Sequence, residues 1–83
     1  MDVMITFRSV TPAQQGERSL RKRGIPCQLG RTPRYLQDQG CGYSLRVHST
    51  DGARAVAQLR EDGVAFRKAY LLSQGGSAQE LVL

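Results

Sequence analysis

Eighty-three residues make one domain with no room for a second, and a chain this short buries only roughly 60% of its unfolded surface. Apolar residues amount to 40% without a single tryptophan, which suits a modest aliphatic core, and no apolar run reaches the ~20 residues that cross a bilayer. The formal charge of +5 would suit an anionic partner such as RNA or an acidic protein surface, although Arg21-Lys22-Arg23 are explained first as cations at the end of a helix.

The elements follow in chain order. Between Val3 and Ser9, the side chains Val3, Ile5 and Phe7 alternate onto one face, the pattern of a half-buried strand. Thr11-Pro12-Ala13-Gln14 reads as a capping box with proline at the first helical position. The helix it opens runs to about Arg23, with Ala13, Gly16 and Leu20 on one stripe. Gly24 ends that helix, and Ile25 folds back on it as in a Schellman cap. A second strand starts near Pro26, with Ile25, Cys27 and Leu29 in phase. Turn signals from Gly30 to Gly42 make a long connection, with one helical turn expected after Pro33.

The third strand covers Tyr43 to Ser49, with Tyr43, Leu45 and Val47 alternating. Ser49, Thr50 or Asp51 caps a second helix that turns Ala53, Val56, Ala57 and Leu59 inward. Gly63 ends it, and Val64 to Leu72 form a fourth strand. Ser73-Gln-Gly-Gly-Ser77 then reads as flexible, so the expected domain is 1–72 with a mobile tail at 73–83.

An internal echo supports this order. Leu20-Arg21-x-x-Gly24-Ile25 recurs as Leu59-Arg60-x-x-Gly63-Val64, and Ile5, Phe7 and Ser9 recur as Leu45, Val47 and Ser49. Two similar strand–helix–strand halves predict an α+β, ferredoxin-like β-α-β-β-α-β fold. Its four-stranded antiparallel sheet would carry two helices on one face and leave the other open.

Chemistry concentrates in the long connection. Cys41 stands between Gly40 and Gly42, shortly after Arg31 and Arg34. The glycines let a partner approach the backbone and its amides, while guanidinium groups, Arg46 included, favour the reactive thiolate. Cys27 is in phase with Ile25 and Leu29 and reads as packing. Two cysteines fourteen residues apart and one histidine assemble no zinc site from one copy and no disulfide framework. A Cys27–Cys41 redox pair would need Cα atoms within about 7 Å. His48 reads as a surface or capping residue, Asp51 as an acid facing the helix dipole, and Tyr35 and Tyr43 as loop and sheet packing.

Arg31-Thr-Pro-Arg34 followed by Cys41-Gly42-Tyr-Ser-Leu-Arg46 resembles the signature of the selenium/sulfur carrier-like proteins, over roughly Ile5 to Leu71. The resemblance implies a carrier cysteine holding a persulfide or selenopersulfide, with Cys41 as carrier thiol, Gly42 as its adjoining glycine, and Pro33 and Arg34 in the preceding turn. The chain departs from that pattern in Tyr35 after Arg34 and in Asp38-Gln39-Gly40 before Cys41; an aspartate so placed opposes thiolate formation.

The expected function is therefore a non-enzymatic sulfur or selenium relay through Cys41, with Arg31 and Arg34 in support and no metal or cofactor. Its partners would be a donor such as a cysteine desulfurase and an acceptor protein. The opening Met-Asp-Val-Met-Ile lacks the features of a secretory leader, so the expected location is the cytoplasm, where both cysteines rest as thiols. The rival reading is a binding module whose sheet takes RNA or a protein, or a regulatory domain that forms homodimers through its open face or edges.

Overall fold

The computed structural model describes residues 1–37, 42–73 and 75–81. Within them run β1 (Asp2–Phe7), α1 (Val10–Lys22), β2 (Gln28–Arg31), β3 (Tyr43–His48), α2 (Gly52–Glu61), β4 (Ala69–Leu72) and β5 (Ala78–Glu80). The strands form one sheet in the order β2-β3-β1-β4-β5, and all neighbours are antiparallel. The fold is α+β, with five strands where the sequence predicts four.

Alternation in β1 works as expected for Val3, Ile5 and Phe7, which lie opposite Val47, Leu45 and Tyr43. These side chains pack beneath the helices with Ala13, Leu20, Ala55, Val56 and Leu59. Both faces of β1 are buried, however, since Met4 and Thr6 are covered as well. Met4, Leu36 and Tyr70 make a second small apolar cluster on the side away from the helices, with Leu72 and Ala78 against it. The second face of the sheet is thus partly roofed, not open.

Helix α1 starts two residues earlier than the capping pattern implies. Ser9 is the cap residue, in extended conformation (φ −149°, ψ 175°), and its side chain makes no capping bond. Pro12 therefore falls within the first turn, where a missing N–H costs no intrahelical bond. The chain reverses directly after β1, and the burial of Ala13, Gly16 and Leu20 sets the helix start in place of the hydroxyl of Thr11.

Both helix ends match the internal echo. Gly24 (φ +73°) and Gly63 (φ +70°) adopt the left-handed conformation that side chains disfavour. The N–H of Ile25 donates to Leu20 O at 2.9 Å and that of Val64 to Leu59 O at 2.9 Å, the long bond of a Schellman motif. Ile25 is buried as a result.

Between β3 and α2, Ser49–Asp51 form a 3₁₀ turn capped by His48, whose Nδ1 accepts the Thr50 N–H at 3.3 Å. The turn rotates α2 so that Gly52, Ala55, Val56 and Leu59 face inward, while Ala53 and Ala57, expected inside, are exposed. The buried set keeps a helical spacing in a different phase. Asp51 lies 3.6 Å from Arg54 and makes no side-chain capping bond.

Regular pairing in β4 begins at Ala69 and not at Val64. Before it, Thr6 faces both Arg67 and Lys68, in the manner of a bulge. Arg67 N–H donates to Thr6 O at 2.8 Å, and Thr6 N–H donates to Lys68 O at 2.8 Å. The Lys68 N–H donates to Thr6 Oγ1 at 3.1 Å, which satisfies the buried hydroxyl. After β4, Gly75 and Gly76 turn the chain at positive φ. Ala78–Glu80 then pair with β4, Leu81 N–H donates to Ala69 O at 2.8 Å, and Leu81 packs on the main core. Residues assigned to a tail by composition thus include the fifth strand.

Candidate functional site

The signature loop leaves β2 and returns to β3 across one rung of a ladder. Arg31 lies opposite Tyr43, and the next rung is closed by Thr32 N–H donating to Gly42 O at 3.0 Å. Nine residues, 33 to 41, lie between these two anchors. Cys41, the candidate carrier thiol, lies outside the described residues, as do Asp38 and Gly40.

Pro33 (φ −55°, ψ 144°) leads into the 3₁₀ turn Arg34–Leu36, the single helical turn expected there. Leu36 N–H donates to Pro33 O at 2.9 Å and Gln37 N–H to Arg34 O at 3.1 Å. Gln37 Nε2 reaches back to Thr32 O at 2.9 Å. Leu36 is buried against Met4 and Tyr70, so this segment is pinned to the second face of the sheet. Arg34 and Tyr35 remain exposed. Proline presets the backbone and leucine supplies the anchor, a role that sequence reasoning did not assign to Leu36.

The three arginines do not share one surface. The Arg31 guanidinium lies over the Tyr43 ring, 5.4 Å from its centroid, on the helix side of the sheet where Tyr43 packs against the main core. Tyr43 is therefore not an aromatic on an open sheet face. Arg46 alternates onto the opposite side, across from Met4, and lies 3.9 Å from Asp2. Arg34 makes no ion pair among the described residues.

Gly42 is half-buried, and a Cβ built on it would meet no atom within 4 Å. Space therefore remains beside the backbone that adjoins Cys41. A shallow hollow of about 160 Å³ lies next to the loop's neck, lined by Met4, Gly30, Pro33, Ser44 and Arg46 among others. Thr32 is the other residue that sequence reasoning passed over. It is buried, and its Oγ1 has no hydrogen-bond partner among the described residues.

Cys27 behaves as its phase implies. It is half-buried against the main core, and its thiol makes a long contact of 3.9 Å to Glu17 O. Burial pushes its pKa up, opposed by the Arg21 guanidinium, so the thiol form is favoured. The basic cluster at the end of α1 is partly neutralised: Arg21 pairs with Glu17 at 3.2 Å, and Arg23 lies 3.9 Å from Glu61.

The family model described as "Putative Se/S carrier protein-like" matches residues 2–71, and the chain belongs to that family. No curated protein and no solved structure matches the chain.

Proposed function

We propose that this member of the Se/S carrier-like family is a non-enzymatic relay that holds sulfur, or selenium in its place, as a persulfide or selenopersulfide on Cys41. The observation that supports it most is the closed neck of the signature loop, where Thr32 N–H meets Gly42 O at 3.0 Å, one residue from the carrier cysteine. A relay needs a thiol on a short tether at a defined point of a rigid sheet, so that donor and acceptor sites meet it in turn.

In the first transfer the Cys41 thiolate attacks the outer sulfur of a persulfide held on a cysteine desulfurase. The donor's S–S bond breaks as the new one forms, and the donor departs as a thiolate, so the exchange is neutral in electrons. The second transfer repeats the substitution, with an acceptor nucleophile attacking the outer sulfur of Cys41. Exposed Arg34 and Arg31 raise the local potential and favour both the thiolate and the persulfide anion. Arg46 contributes less, because Asp2 shares its charge on the far side of the sheet. Neither transfer requires a metal or a catalytic base in the carrier. We also read β1 to β4 with both helices as a ferredoxin-like unit extended by β5, a reading supported by the order β2-β3-β1-β4, and assign the protein to the reducing cytoplasm.

Incubation with a cysteine desulfurase and cysteine tests the proposal by intact mass. The wild type and Cys27→Ser gain one sulfur atom that a reductant removes, whereas Cys41→Ser gains none. A wild type that stays unmodified while the desulfurase turns over refutes the relay.

A further inference from the structure

Beyond the chemistry of Cys41, we propose that the outer edge of β2 is a docking site for an acidic, extended segment of a partner protein, which adds there as a further strand. Gln28, Gly30 and Thr32 lie opposite Arg46, Ser44 and Gly42, and the Thr32 N–H bonds to Gly42 O. In an antiparallel ladder the bonded rungs alternate, so the groups of the even-numbered residues point at β3. Those of Leu29 and Arg31 point outward from the terminal strand of the sheet.

Nothing among the described residues covers that edge. Gln28, Gly30 and Arg31 are exposed, and a Cβ on Gly30 would meet no atom within 4 Å. Among the described residues, no hydrogen bond engages the outward groups of Leu29 or Arg31. Pro26 and Pro33 bracket the strand, which limits a guest to a few residues. Natural sheets blunt their free edges with short strands, prolines, charges or bulges; β2 has the first three, so its edge suits a short guest of opposite charge and not open-ended pairing.

Charge selects the guest. From Arg18 to Arg46 the chain carries seven arginine or lysine residues and one acid, Asp38. Arg31 stands on the helix side of β2, Arg46 on the other side one strand in, and exposed Arg34 just beyond its end. A second copy of β2 would bring arginine towards arginine, so the chain's own edge is a poor guest. An acidic strand gains from Arg31 and Arg34, and less from Arg46, which Asp2 already faces. Running antiparallel, it would set an acidic residue beside Arg31 and, two residues later, an aliphatic one beside Leu29, because alternate side chains share a face. Backbone bonds would supply affinity and the two side chains selectivity.

The test uses the isotope-labelled full chain and the capped peptide Thr-Glu-Thr-Val-Thr-Glu, with a control in which lysine replaces both glutamates. At low salt the acidic peptide should slow hydrogen exchange at the Leu29 and Arg31 amides and leave the β5 amides unchanged, and the lysine peptide should not. Arg31→Glu should weaken the acidic peptide roughly tenfold, the sum of one lost and one repelling exposed pair, and should improve binding of the lysine peptide. Cys41→Ser should bind like the wild type, so loss of the relay reading would leave this one intact. Unchanged exchange at Leu29 and Arg31, equal binding of both peptides, or sedimentation showing a homodimer that already protects those amides would overturn the proposal.

Discussion

Replacing Leu36 by alanine tests how firmly the signature loop is held. Leu36 is 9% exposed and packs against Met4 and Tyr70 in a cluster separate from the main core. Truncation removes three buried carbons, worth about 0.8 kcal/mol each by transfer, plus a cavity term. Because the cluster lies near the surface and can close up or admit water, the expected loss stays near the low end for such changes, about 2–3 kcal/mol. A chain of this size has a total stability of roughly 4–12 kcal/mol, so the change is large. With an m-value near 1 kcal/mol per M, the urea midpoint should fall by about 2 M, while Leu59→Ala in the main core should cost more. The variant should also alter the alkylation rate of Cys41 relative to Cys27, because the tether between Thr32 and Gly42 loses its second anchor. A midpoint shift below about 0.5 M with an unchanged slope would show that the loop does not depend on Leu36, and the account of the pinned turn would fail.

Gly24→Ala and Gly63→Ala should each cost about 1–2 kcal/mol, measured by urea denaturation, because no atom lies within 4 Å of either added Cβ and only the positive φ is penalised. A clear difference between the two would contradict the equivalence of the helix ends. The Ser19 hydroxyl donates to Asp62 Oδ2 at 2.5 Å and holds the Asp62 carboxyl below its ordinary value. A depressed acid stabilises the fold above its unfolded pKa, and that contribution disappears as pH falls through the folded pKa. Ser19→Ala should therefore move the acid limb of the urea-midpoint profile to higher pH, and a carboxyl titration of Asp62 that does not change would refute the assignment.

Much of the fold can be read from local pattern because the relevant interactions are local. A glycine just after the last apolar residue of a helical stripe specifies its cap at Gly24 and Gly63 wherever the helix packs. Alternation in β1 and β3 assigns Val3, Ile5, Leu45 and Val47 to the core, since side chains two apart must share a face. The family signature marks Cys41, Gly42 and Arg34 by residue type and spacing. The phase of α2 was less legible, because a 3₁₀ turn of three residues rotates the helix without altering its composition.

What tertiary structure alone decided lies at the sheet's second face and its margins. Leu36 has no local signal in a polar loop, and it becomes an anchor only because Met4 and Tyr70, distant in sequence, leave a hydrophobic place for it. Arg31 and Arg46 look equivalent along the chain, yet strand alternation sends one to Tyr43 and the other to Asp2. Ala78–Glu80 are too short and polar to declare a strand. They form one because β4 offers unpaired backbone groups, and hydrogen bonds across a sheet depend on what lies alongside and not on what precedes in sequence.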